Sequence, residues 1–282
     1  MRNISLLNKF STKNYLSDPF PFFEIENALE ENFYNHLKND YALFEHYFQK
    51  TKNFHKNNIR LQICSQEFLN LDIFKKSSWH DFIIYHTSND FFLELVEIFY
   101  EDLNKIYPNV VKIIEKNPKN ILNIRSLDNN NNYEFVSDCQ PGINTPVTSK
   151  SSVRGPHVDN PVELFGGLFY LRDDKDKSSG GDLVLYDKKN DIYFKEKAEV
   201  YNVDDLIPFK KILYKKNNAV FFLNTENSIH SITPREITDN CRNLTNLIFE
   251  RYIDKNKFFE LKRKENFANK IIKRIIKKIF IQ

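Results

Sequence analysis

The sequence predicts an α+β fold in which a mainly helical N-terminal part supports an antiparallel β core. Apolar residues recur at helical spacing through about residue 110, short alternating strands succeed one another after residue 133 without helices between them, and helical periodicity returns only after residue 254. With 282 residues, 41% of them apolar, and no composition shift in its middle, the chain suits one main domain. That domain is expected over residues 1–253, as helical support (1–132) and β core (133–253), followed by a basic C-terminal helix over 254–282.

In chain order, FPFFEIE (20–26) is an apolar strand candidate, and Asn27 with Glu30 three residues on reads as a capping pair for a helix from Ala28 to Asn39. SSWHDFIIYH (77–86) and the run from Ser88 to Tyr107 are helical, with Ser88 as the cap of the second. NILNIRSL (120–127) and YEFVSD (133–138) alternate as strands around the turn signal DNNNN. The strands GGLFYLR, GDLVLYD, DIYFKE, AVFFLNT and NLTNLIFERY complete an antiparallel sandwich or barrel. The connection from Asp187 to Tyr214 is long and is expected to form a lid or rim.

Charge is unevenly placed. Residues 254–282 hold ten Lys or Arg against three acids, +7, so a net charge of +3 leaves the remainder at −4. An acidic body argues against nucleic acid as partner, because phosphate binding needs a positive face. Cys64, Cys139 and Cys241 are odd in number and widely spaced, giving neither a disulfide framework nor a zinc pattern. The opening twenty residues lack the features of a secretory signal, so a cytoplasmic chain is expected.

All six glycines fall between Gly142 and Gly181, around a His-x-Asp pair at His157 and Asp159. Two residues apart on an extended segment, these side chains share a face. Seventy-one residues beyond Asp159, His230 ends an apolar strand and a polar turn, and Arg242 opens the next strand. Two histidines and a carboxylate make the facial ligand set of non-haem Fe(II), and a nearby buried arginine could clamp a carboxylate.

This ordered set resembles the Fe(II)/2-oxoglutarate-dependent oxygenase superfamily, on its prolyl-hydroxylase-like side. The matching stretches are His157-Val158-Asp159, FYLRDD, SSGGDLVLY, AVFFLNT running to His230-Ser-Ile-Thr-Pro, and Arg242. The resemblance implies a double-stranded β-helix (jelly-roll) core. It makes His157, Asp159 and His230 the iron ligands and catalytic centre, and Arg242 the partner of the distal carboxylate of 2-oxoglutarate. Tyr170, matching an aromatic position of the family, is set with Arg242 on the cofactor side, and Gly180 and Gly181 match its paired glycines. It also implies O2 as co-substrate, with hydroxylation releasing succinate and CO2. One departure is visible: the hydroxyl residue often found two positions after the arginine is Leu244 here, and Thr245 faces the other way.

Arg60, Arg125, Arg154 and Asn160 are candidates for the substrate side, with solvated or capping roles as the alternative. A polar small molecule or saccharide is the expected substrate; a protein side chain, or ligand binding without turnover, are the alternatives the sequence leaves open. In the tail, NKIIKRIIKKIFIQ places isoleucines on one helical face and cations on the other. Such a helix suits either packing on a protein surface or peripheral contact with an anionic membrane.

Overall fold

In a computed structural model, residues 4–125, 133–189, 200–251 and 257–261 are described. The strands are β1 (Tyr15–Leu16), β2 (Phe22–Glu26), β3 (Arg60–Gln62), β4 (Leu122–Ile124), β5 (Phe135–Asn144), β6 (Glu163–Tyr170), β7 (Leu183–Lys188), β8 (Leu206–Ile212), β9 (Asn218–Leu223), β10 (His230–Ile232) and β11 (Arg242–Arg251). The helices are α1 (Glu31–Gln49), α2 (Ser65–Asn70), α3 (Ser78–His86), α4 (Asn89–Ile98), α5 (Tyr100–Ile106) and α6 (Pro108–Lys116). They form a mixed fold with one large sheet, ordered β1-β2-β9-β6-β11-β5-β3, and a small one, β10-β7-β8. Pairing is antiparallel as expected, except that β4 runs parallel to β5.

Both faces of the large sheet are covered, which explains why its central strands read as almost unbroken apolar runs. One set of alternate residues, including Phe135, Cys139, Phe165, Phe169, Phe221, Leu247 and Phe249, joins the helices in the main core. The opposite set, including Leu168, Tyr170, Val220, Phe222 and Leu244, shares a second core with Leu183, Leu185, Ile212 and Ile232 of the small sheet. The two sheets therefore face each other across a common interior, and the strand period of two decides which side chains enter it.

Helix α1 buries Tyr34, Leu37, Tyr41, Phe44 and Phe48, a 3-4-3-4 spacing that carries it to Gln49, ten residues past the expected end. It also starts later than expected, at Glu31. Asn27 is not its cap: it turns with φ 51°, and the Ala28 and Leu29 amides donate to the Asn217 carbonyl and side chain, 3.0 Å each, so a turn replaces the first helical turn. Ser88 does cap α4, accepting from the Phe91 amide at 3.2 Å.

The expected lid is in part a strand. β8, Leu206–Ile212, pairs along β7 in the small sheet, while DIYFKE lies outside the described residues. So do the DNNNN turn and the two-faced segment 269–282. Of residues 254–282 only 257–261 are described; there the Phe258 amide donates to Pro161 O at 2.8 Å and its ring meets Tyr107 at 5.3 Å. No helix among the described residues is long and apolar enough to cross a membrane.

Candidate metal centre

His157 and His230 form an antiparallel bridge, each amide donating to the other's carbonyl at 2.9 and 2.8 Å. Their rings consequently lie side by side, centroids 4.3 Å apart. Each Nδ1 is 2.8 or 2.9 Å from the carbonyl two residues earlier, Gly155 O or Ser228 O. A carbonyl only accepts, so Nδ1 carries a proton, and in the neutral ring the lone pair is on Nε2. Both Nε2 atoms face Asp159 Oδ1, at 3.5 and 3.7 Å.

These three donor atoms lie within 4.8 Å of one another. Two imidazole nitrogens and a carboxylate converging in this way suit a bound cation; among the described residues Arg154 stands 3.9 Å from Asp159 Oδ1. Burial, the largest single influence on Asp159, raises its carboxyl, but His230, His157 and Arg154 together outweigh it and hold the group below the usual carboxylate range. Burial pulls the His230 imidazole down to about 4, keeping it neutral and able to ligate. Two imidazoles and one carboxylate are a donor set that suits a first-row divalent metal such as Fe(II). Phe222 packs on His230 at 5.1 Å, in space that a Cβ at Gly166, 2.5 Å from the Phe222 ring, would take.

Arg242 is fully buried in the shared interior. Its Nε donates to Gly181 O at 2.8 Å and its Nη1 to Asn144 Oδ1 at 3.0 Å, while the rings of Tyr170 and Tyr214 flank it at 4.9 and 5.1 Å. Arg242 Nη2, the Tyr170 hydroxyl and Asn144 Nδ2 are buried without a hydrogen-bond partner among the described residues. Native interiors rarely leave such groups unpaired, and all three can donate, so the gap fits an anion. Gly180 and Gly181 permit the close approach. Both have φ 85°; a Cβ at Gly180 would lie 1.9 Å from Pro234 O, and one at Gly181 3.0 Å from Arg242 Cδ. Leu244 faces the interior beside Tyr170, and Thr245 pairs with Phe169 on the helix side.

A cavity of about 620 Å³ opens beside the three donors. Arg60 and Arg154 line it, as do Glu163, Gln62, Gln140 and Asn246, which sequence reasoning missed. Packing in the cavity wall, then the Arg242 charge, pull the Arg60 guanidinium down to about 10. Burial first, then Asp159 and Glu250, push the Glu163 carboxyl well above its ordinary value. Arg125 is not part of the lining; it pairs with Glu250 at 2.6 Å and Asp138 at 3.6 Å. Asn160 turns its side chain to the Val162 amide at 3.4 Å, a capping role. Arg235, also missed, is buried and ties Asn58, Thr145 and Asn240 together. A larger cavity of about 850 Å³, between residues 7–17 and α4–α5, contains none of these donors.

No protein-family model matches the chain, and no curated protein does. Among solved structures it is similar to a prolyl 4-hydroxylase from Phytophthora capsici (11% identity, TM-score 0.46, 98% of this chain and 72% of that one). It is also similar to a prolyl hydroxylase from Trichoplax adhaerens, solved with a hypoxia inducible factor peptide fragment (14%, TM-score 0.43, 89% and 88%). A prolyl-4-hydroxylase from Pseudomonas putida is a third (10%, TM-score 0.41, 82% and 92%). With TM-scores below 0.5, these likenesses carry no weight for function, which rests on the side chains.

Proposed function

We propose that this chain is an Fe(II)- and 2-oxoglutarate-dependent dioxygenase that hydroxylates a polar small molecule, releasing succinate and CO2. The observation that carries the reading is the pairing of two incomplete sites in one interior. His157, Asp159 and His230 present clustered donor atoms, and Arg242, stacked on the Tyr170 ring, leaves Nη2 unpaired beside an unpaired tyrosine. In this reading the facing sheets are the halves of a double-stranded β-helix, and the three free cysteines suit a reducing, cytoplasmic setting.

Iron held by the three ligands would supply oxygen activation coupled to decarboxylation of 2-oxoglutarate. The protein supplies the rest. The Gly155 and Ser228 carbonyls hold both imidazoles in the ligating tautomer. In this reading Arg242 Nη2 and the Tyr170 hydroxyl bind the distal carboxylate, while Gly181 O and Asn144 Oδ1 accept from Arg242 Nε and Nη1 and hold the guanidinium. Phe222 and Leu168 line the cavity beside the ligands and exclude water from that side.

The test is Fe(II)-dependent release of succinate from 2-oxoglutarate in the presence of a metabolite extract, with mass spectrometry for a product one oxygen atom heavier. Failure of Fe(II) to stimulate any succinate release would count against the reading.

A further inference from the structure

Charges of both signs line the cavity, Arg60 and Arg154 with Asp159 and Glu163. Behind Arg60 of β3, Asn144 of β5 and Arg242 of β11 continue a single row across the sheet, outside the lining. At the far end of β11 the sign reverses, with Glu250 directly opposite Glu163 of β6 and Asp138 of β5 one step away. Among the described residues only Arg125 pairs with these acids, through Glu250 and Asp138. The Glu163 carboxylate lines the cavity and makes no hydrogen bond or ion pair with any described residue.

Like charges directly opposite on a ladder repel, and a carboxylate in a cavity wall without a donor is costly. Glu250 has its charge answered by Arg125, and Arg154 is drawn to Asp159. Glu163 is left as a half-buried acceptor in the cavity wall, open to a cationic ligand.

We propose that this acidic end receives the ammonium or guanidinium group of a small-molecule primary substrate, with Glu163 as its anchor, an inference that rests on the oxygenase reading above. The dianionic co-substrate then takes the Arg242 end and the cationic substrate the Glu163 end. Asp159 lines the same cavity as Arg60 and Glu163. A free amine or basic amino acid suits a cavity of about 620 Å³. A neutral saccharide would leave Glu163 unpaired.

The full chain is loaded anaerobically with Fe(II) and 2-oxoglutarate, whose visible charge-transfer absorbance reports that both are bound. Equilibrium dialysis then compares L-lysine with its neutral isostere L-norleucine and L-arginine with L-citrulline, with a short lysine-containing peptide as a separate arm. At least one cationic amino acid is expected to bind about tenfold to a hundredfold tighter than its isostere. Glu163→Gln should abolish that difference with the absorbance retained, and Glu163→Lys should turn the preference towards L-glutamate. Equal binding within both pairs, or a preference that survives Glu163→Gln, overturns the inference. Preference confined to the peptide overturns the small-molecule assignment. Absence of the absorbance in the wild-type chain overturns the oxygenase reading itself.

Discussion

Leu244 of β11 stands directly across the ladder from Tyr170 of β6. The hydroxyl that position 244 lacks is therefore available from the neighbouring strand, on the same interior face as Arg242. Because the Tyr170 hydroxyl has no hydrogen-bond partner among the described residues, Tyr170→Phe should leave folding stability within about 0.5 kcal/mol of wild type. It should weaken 2-oxoglutarate binding by about 1–1.5 kcal/mol, the usual net worth of one hydrogen bond. Urea unfolding and co-substrate titration check the two halves. Unchanged co-substrate affinity would remove Tyr170 from the site.

Arg242→Ala removes the cation itself. Co-substrate affinity should fall by about 2–4 kcal/mol, as expected when one partner of a buried charged pair is deleted. Stability should fall as well, because Asn144 Oδ1 and Gly181 O lose their donor. Fe(II) affinity should persist in the folded variant; joint loss of iron and 2-oxoglutarate would contradict the separate roles given to the two sites.

Gly180→Ala should destabilise the fold by at least about 2 kcal/mol, since the new Cβ meets the Pro234 carbonyl at a left-handed backbone position. A midpoint of urea unfolding equal to wild type would show that the backbone relaxes freely.

His86 offers a pH test away from the site. It is buried, its Nδ1 bonded to Phe82 O at 2.7 Å and its Nε2 accepting from the Leu6 amide at 3.1 Å. Burial pulls its imidazole from 6.5 down to about 3. Between those values the unfolded chain binds a proton that the native chain refuses, so this contribution is complete above about pH 6.5 and is lost as pH falls towards 3. Urea unfolding of the metal-free protein at pH 7.5 and 5 should show a smaller pH-dependent loss for His86→Gln than for wild type. His230, depressed in the same direction, contributes equally to both proteins. Identical losses would contradict the assignment.

The convergence of His157, Asp159 and His230 was legible in the sequence, because ligand chemistry limits the residue types and the strand period limits their faces. The helix boundaries around Asn27 were not, since the Asn217 turn that claims the Ala28 and Leu29 amides lies far away in the chain. Glu163 and Gln140 escaped notice for a related reason. A polar residue in an apolar strand says nothing about which interior it enters until the partner strand sets the register. A local clue was Asp138 and Gln140, polar residues two apart on one face of β5, every residue of which is buried. A hydroxyl role for Tyr170 could be proposed only once its ladder partner was known to be Leu244.

The central claim is tested most directly by anaerobic Fe(II) titration of the wild-type chain and of Asp159→Ala, with circular dichroism confirming that both are folded. One Fe(II) per wild-type chain, and binding largely abolished by Asp159→Ala, is the result predicted from the convergence of His157, Asp159 and His230. Iron bound equally well by the folded Asp159→Ala chain would contradict it.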